Sequence, residues 1–159
     1  MCSSDLAQAH GIHVVEDPLD DAPCADAVSH LLNRLRELRR AHRHGPVAVL
    51  NGGEVTVQLP AKSGHGGRNQ QFALQCALRC EGEPITLLSA GTDGIDGNSP
   101  AAGAVADGET VARAAICGLD AALQLRHCDA FPLFQRLGDA IVTGPTGTNV
   151  RDLRLLIHE

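Results

Sequence analysis

Apolar positions along this chain switch between helical and strand spacing, and the switches divide it into short elements. Ile12 to Glu16 reads as a strand. Asp17-Pro18 ends it, because proline donates no ladder hydrogen bond and restrains the residue before it. Val28, Leu31, Leu32, Leu35 and Leu38 recur three and four residues apart. That spacing predicts a helix over 25–40 with one apolar stripe facing the core. Arg39, Arg40, His42 and Arg43 suit the negative end of such a helix. Gly45-Pro46 breaks the pattern, and Val47 to Leu50 follows as a continuous apolar run, the mark of a buried strand. Asn51-Gly52-Gly53 interrupts that run, and Glu54 to Leu59 then alternates like a half-covered strand. Their closeness predicts a hairpin.

After a loop over 60–67, a helix is predicted from about Arg68 to Cys80. Ile85 to Ala90 is an apolar strand that empties into the loop 91–98. Residues 101–106 are rich in small side chains. Asp107-Gly108 turns the chain, and helices are expected over 109–117, 119–126 and 130–137. Ala140 to Thr143 and Leu153 to Ile157 read as strands. Strands alternating with helices predict an α/β fold, a layered α/β/α domain with a mixed sheet.

Length adds that 159 residues make one domain. Thirteen basic side chains against 19 acidic ones give a net charge of −6, which argues against a nucleic-acid partner held by phosphate neutralisation. No apolar run is long enough for a membrane helix. Met1 to Leu6 has neither the basic nor the apolar region of a secretory signal, so a cytoplasmic protein with reduced thiols is expected. Cys76 and Cys80 fall on one helix face and read as buried small hydrophobes, since no second pair sits at a zinc spacing. The first six residues are what a start codon followed by TGC-TCT-TCC-GAT-CT encodes, a string resembling the end of a sequencing adapter. Residues 1–6 are therefore expected to be an artefact on a fragment of a longer protein. In that reading 7–45 lead into a domain over 46–159.

Three glycine-rich runs carry the candidate chemistry. In Gly64-His65-Gly66-Gly67-Arg68-Asn69-Gln70, glycines admit close backbone approach, a helix N-terminus offers N–H groups, and Arg68 supplies a fork for phosphate or carboxylate. The alternative is a turn with a surface arginine, and for His65 a solvated loop histidine. In Gly91-Thr92-Asp93-Gly94-Ile95-Asp96-Gly97, two carboxylates lie just past a strand end, where ligands collect in open α/β sheets. They could hold Mg²⁺ or accept a substrate proton, or simply form the turn. In Thr143-Gly144-Pro145-Thr146-Gly147-Thr148-Asn149, hydroxyls and N–H groups suit an oxyanion nest. Lys62 is the only lysine and lies in no P-loop; no dinucleotide fingerprint or nucleophile elbow is present.

Together with Gly52-Gly53-Glu54-x-Thr56-Val57 before them, Ala101-Ala102-Gly103-Ala104 after the second run, and Val150-x-Asp152-Leu153 after the third, these runs stand in an order that closely resembles the C-terminal MOFRL domain of the bacterial and archaeal glycerate 2-kinases. Some members carry the label hydroxypyruvate reductase, an NAD(P)H-dependent activity. The resemblance implies two α/β domains with an active site between them, the larger N-terminal one, with its essential lysine, being absent here. It implies ATP-dependent phosphorylation of D-glycerate to 2-phosphoglycerate with Mg²⁺. Arg68 and Asp93 would be catalytic, and Asp93 and Asp96 metal ligands. Glu54, Gly66, Gly67, Asn69, Thr92, Thr143, Thr146, Thr148 and Asn149 would bind substrate or phosphate. Many relatives have Pro-Thr-Asp where this chain has Asn98-Ser99-Pro100. Without the partner domain, the expected behaviour is anion binding without turnover.

Overall fold

The computed structural model describes residues 9–19 and 21–159; Met1 to Leu6 lie outside them. Six strands form one mixed sheet in the order β1-β3-β8-β5-β6-β7. They are β1 (His13–Asp17), β3 (Val47–Gly53), β5 (Ile85–Gly91), β6 (Gly103–Asp107), β7 (Ala140–Ile141) and β8 (Asp152–His158). β1 and β3 run parallel, and the other pairs are antiparallel. A two-stranded parallel sheet joins β2 (Ala22–Pro23) to β4 (Val55–Thr56).

Among the described residues five helices accompany the sheets: α1 (Cys24–Ala41), α2 (Arg68–Arg79), α3 (Thr110–Ile116), α4 (Ala121–Arg126) and α5 (Ala130–Leu137). The predicted stripe on α1 is buried at every position. α1 packs on β3 and β8, α2 on β5 and β6, and α1 and α2 touch each other. Burial alternates to match. Leu87, Ser89, Arg154 and Leu156 are enclosed beneath the helices, while Leu50, Leu88, Leu155 and Ile157 on the opposite face are half-buried. The described residues thus build one helical layer over the sheet, and the second layer of the expected α/β/α stack is not among them. Cys76 and Cys80 are fully buried, as expected. Burial pushes the Cys80 thiol up to about 11.

Two expectations change. Asn51-Gly52-Gly53 does not interrupt the strand: β3 continues through Gly53, paired with β8 down to Asp152. The buried Asn51 amide satisfies itself by donating to the carbonyls of Asp17 and Leu19. The chain leaves the sheet at Gly53, whose φ is +122°, and β4 pairs with β2. No 47–50/54–59 hairpin forms. The small-residue segment 101–106 contributes strand β6, because Ala104 and Ala106 let α2 lie close on the sheet.

Candidate functional site

Arg68 opens α2, and its guanidinium is held on two sides. Nε and Nη2 donate to Oδ2 and Oδ1 of Asp152 at 2.8 and 3.0 Å, a bidentate pair. Nη1 pairs with Glu54, which also approaches Arg151. The Asp152 side chain is fully buried, whereas Arg68 keeps about a third of its surface. These partners hold the Arg68 pKa above the usual arginine value, chiefly through the Asp152 hydrogen bonds. The result is a rigid cation at the mouth of a cleft of about 700 Å³.

The cleft brings the first two glycine runs together. Gly66, Gly67, Arg68, Asp93, Asp96 and Gly97 line it, facing Val55, Val57 and Leu59 on the apolar side. The loops lock through Asn98. Its Oδ1 accepts from the Gly66 N–H, its own N–H donates to the Gly66 carbonyl, and its Nδ2 to that of Gly64. A Cβ at Gly97, where φ is +64°, would overlap the Gly66 carbonyl oxygen. Asp93 sits on the cleft wall. Its Oδ1 accepts from the Ile95 N–H, while its Oδ2 takes no hydrogen bond among the described residues.

Packing already engages several of the residues expected at the site. Asp96 is 1% exposed and caps α2. Its Oδ1 accepts from the backbone and side chain of Asn69, its Oδ2 from those of Gln70. The helix terminus that would attract an anion already holds this carboxylate. Both oxygens being engaged, Asp96 does not fit a metal ligand. Burial raises its pKa against the lowering effect of those donors. Asn69, expected at the substrate, is 1% exposed and accepts from the Ser89 hydroxyl. It pegs α2 to β5.

The third run does not line the cleft. Thr92 donates its hydroxyl to the Arg151 carbonyl and accepts from the Val150 N–H. Thr146 donates its hydroxyl to the Thr92 carbonyl and its N–H to that of Asp93. Thr143 donates to the Gly144 carbonyl, Thr148 donates its N–H to Thr146 Oγ1, and Asn149 accepts from the Arg151 N–H. With their hydroxyl protons given to carbonyls, Thr92 and Thr146 tie the Asp93 loop to the 146–151 segment, while the Thr143 hydroxyl bonds within its own turn. His65 is exposed.

Periodicity and motif spacing assign no role to Arg154 or Asp152. Arg154 is fully buried and lies 2.7 Å (Nη1) from Asn51 Oδ1. The available signal was a charge inside Leu153-Arg154-Leu155-Leu156-Ile157. Among the described residues no cluster of three His, Cys, Asp or Glu side chains could hold a metal, and no helix is long and apolar enough to cross a membrane. Mg²⁺ commonly binds through one or two carboxylates plus substrate phosphates, so Asp93 alone fits that use.

Similar proteins share this part of the molecule. A D-glycerate 2-kinase of Thermotoga maritima is 44% identical over 109 residues, 68% of this chain and 26% of the relative. The human glycerate kinase is 46% identical over 70% of this chain and 23% of its own length. An Agrobacterium vitis protein named for hydroxypyruvate reductase is 43% identical over 71% of this chain and 30% of its own. The crystal structure of a Thermotoga maritima glycerate kinase superposes on 98% of this chain with a TM-score of 0.87 and 35% identity, and the match takes up 38% of that chain. This chain therefore spans less than a third of the curated relatives it matches. Residues 47–152 match the MOFRL family model, and the chain belongs to the MOFRL family.

Proposed function

We propose that this chain forms one wall of the active site of a glycerate 2-kinase, which transfers the γ-phosphoryl group of ATP to the 2-hydroxyl of D-glycerate. The wall over 46–159 would be completed by an N-terminal domain. The observation that carries this is Arg68, a cation fixed on Asp152 beside the under-used carboxylate Asp93. Phosphoryl transfer depends on positioning and charge stabilisation. In this reading Arg68 meets the equatorial phosphoryl oxygens. The glycerate 2-oxygen attacks phosphorus, the bond to the ADP oxygen breaks, and Asp93 accepts the hydroxyl proton. Gly66 and Gly67 keep side chains out of the path, and Glu54 holds Arg68 until a phosphate competes for it. Bound Mg²⁺ would neutralise phosphate charge; were the free Asp93 oxygen to hold the metal, it would do so in place of accepting the proton, not in addition.

A coupled assay on the full-length protein tests the assignment. Arg68→Ala is expected to lower kcat by about 10³-fold; turnover equal to the parent overturns it. A second reading, hydroxypyruvate reduction, is favoured only by the name of the Agrobacterium vitis relative. Oxidation of NADH by hydroxypyruvate, with no ATP-dependent product from glycerate, would replace the kinase reading.

A further inference from the structure

We propose that Arg154 is a positioning residue: acting through Asp152, it fixes the plane of the Arg68 guanidinium at the cleft mouth. This rests on the reading of Arg68 as the group that meets the transferred phosphoryl.

Arg154 is the one charged side chain in the Leu153–Ile157 stretch of β8, and it is wholly enclosed. A buried ion pair is a weak stabiliser compared with well-packed apolar side chains, so stability alone does not account for a charge at this position. Two residues apart on one strand, Asp152 and Arg154 share the helix-covered face. Arg154 Nη1 donates to Asn51 Oδ1 at 2.7 Å, and Nη2 lies 3.4 Å from both the Gly53 carbonyl and Asp152 Oδ2. The guanidinium carbon stands 5.3 Å from the centre of the Phe72 ring. Asn51 is itself tied to the carbonyls of Asp17 and Leu19. Asp152 thus stands between two guanidinium groups, paired bidentately with Arg68 at the cleft and touched at one oxygen by Arg154 in the core. In this proposal the core contact biases the carboxylate plane, and the carboxylate plane sets the fork of Arg68. Burial pulls Arg154 below the usual arginine pKa while Asp152 opposes it.

The test uses the full-length enzyme. Arg154→Met removes the fork and keeps an apolar chain over Phe72. The expected result is a fall in kcat of about tenfold or more, with KM for ATP and glycerate staying within about twofold. In an Arg68→Lys background the same substitution is expected to change kcat by less than about twofold, because its effect passes through a guanidinium that is gone. Equal losses in both backgrounds, or no loss in the parent, overturn the proposal. If Arg154→Met does not fold, Arg154→Lys, which keeps the charge but loses the fork that reaches both Asn51 and Asp152, enters the same cycle with the same expectations. If Arg68→Ala turns over like the parent, the reading of the site fails. If that variant is inactive while Arg154→Met keeps the parent kcat, only the positioning role fails.

Discussion

Gly94 is the residue where the cleft loop and its buttress meet. Its φ is +87°, and a Cβ there would overlap the Gly144 carbonyl oxygen. Gly118 has a similar φ of +76° but nothing within 4 Å. The two glycines therefore separate backbone strain from steric clash. Gly118→Ala is expected to cost about 1–2 kcal/mol, the left-handed penalty alone. Gly94→Ala adds an overpacking cost of about 1–3 kcal/mol. Urea unfolding of the two variants checks the difference; equal midpoints would mean that the loops do not press together. Asp96 illustrates the same dependence on neighbours. A carboxylate three residues from Asp93 has the sequence context of a ligand, yet four N–H donors from Asn69 and Gln70 make it a helix cap.

Elements are joined by a few polar ties. Arg36 on α1 donates to both Glu83 oxygens and to the Arg79 carbonyl, fastening α1 to the end of α2 and the turn before β5. The Arg36 hydrogen bond lowers the Glu83 pKa from its ordinary 4.5. A lowered native pKa means that the stabilisation is complete above 4.5 and is lost as pH falls through the native value. About a third of each side chain is exposed, so the pair is worth roughly 0–1 kcal/mol after screening. Glu83→Gln should lower stability slightly at pH 7 and leave it unchanged at pH 2, as followed by denaturant titration; the same deficit at both pH values would contradict the tie. Helix α1 was legible because five apolar residues share one face. The path from β3 to β4 was not, because the closeness of two apolar segments along the chain does not determine which strands pair.

For the whole molecule, one cleft wall is preorganised, and transfer is proposed to need a second. The isolated 159-residue chain is expected to bind ATP or glycerate weakly and to form no 2-phosphoglycerate. Titration calorimetry alongside the coupled assay checks this. Product formation at the full-length rate would show that the wall is sufficient. Arg68→Ala in the isolated chain should weaken ATP binding, because the cleft's rigid cation is removed.

The amino-acid order was enough to settle the α/β class, the extent of α1 and α2, the burial of Cys76 and Cys80, and the family, since periodicity and local glycine motifs survive without a partner. It placed Arg68 at the start of a helix behind one glycine run and Asp93 in the loop of another. Folding alone decided which polar groups remain available. Asp96 and Asn69 are consumed by the α2 terminus, and the Thr143–Asn149 turn by the loop it supports. Asp152 and Arg154 gain their roles from residues between 84 and 103 positions away. Hydrogen-bond capacity is finite and is allocated by distant neighbours, so the residue types can be read locally but their remaining capacity cannot.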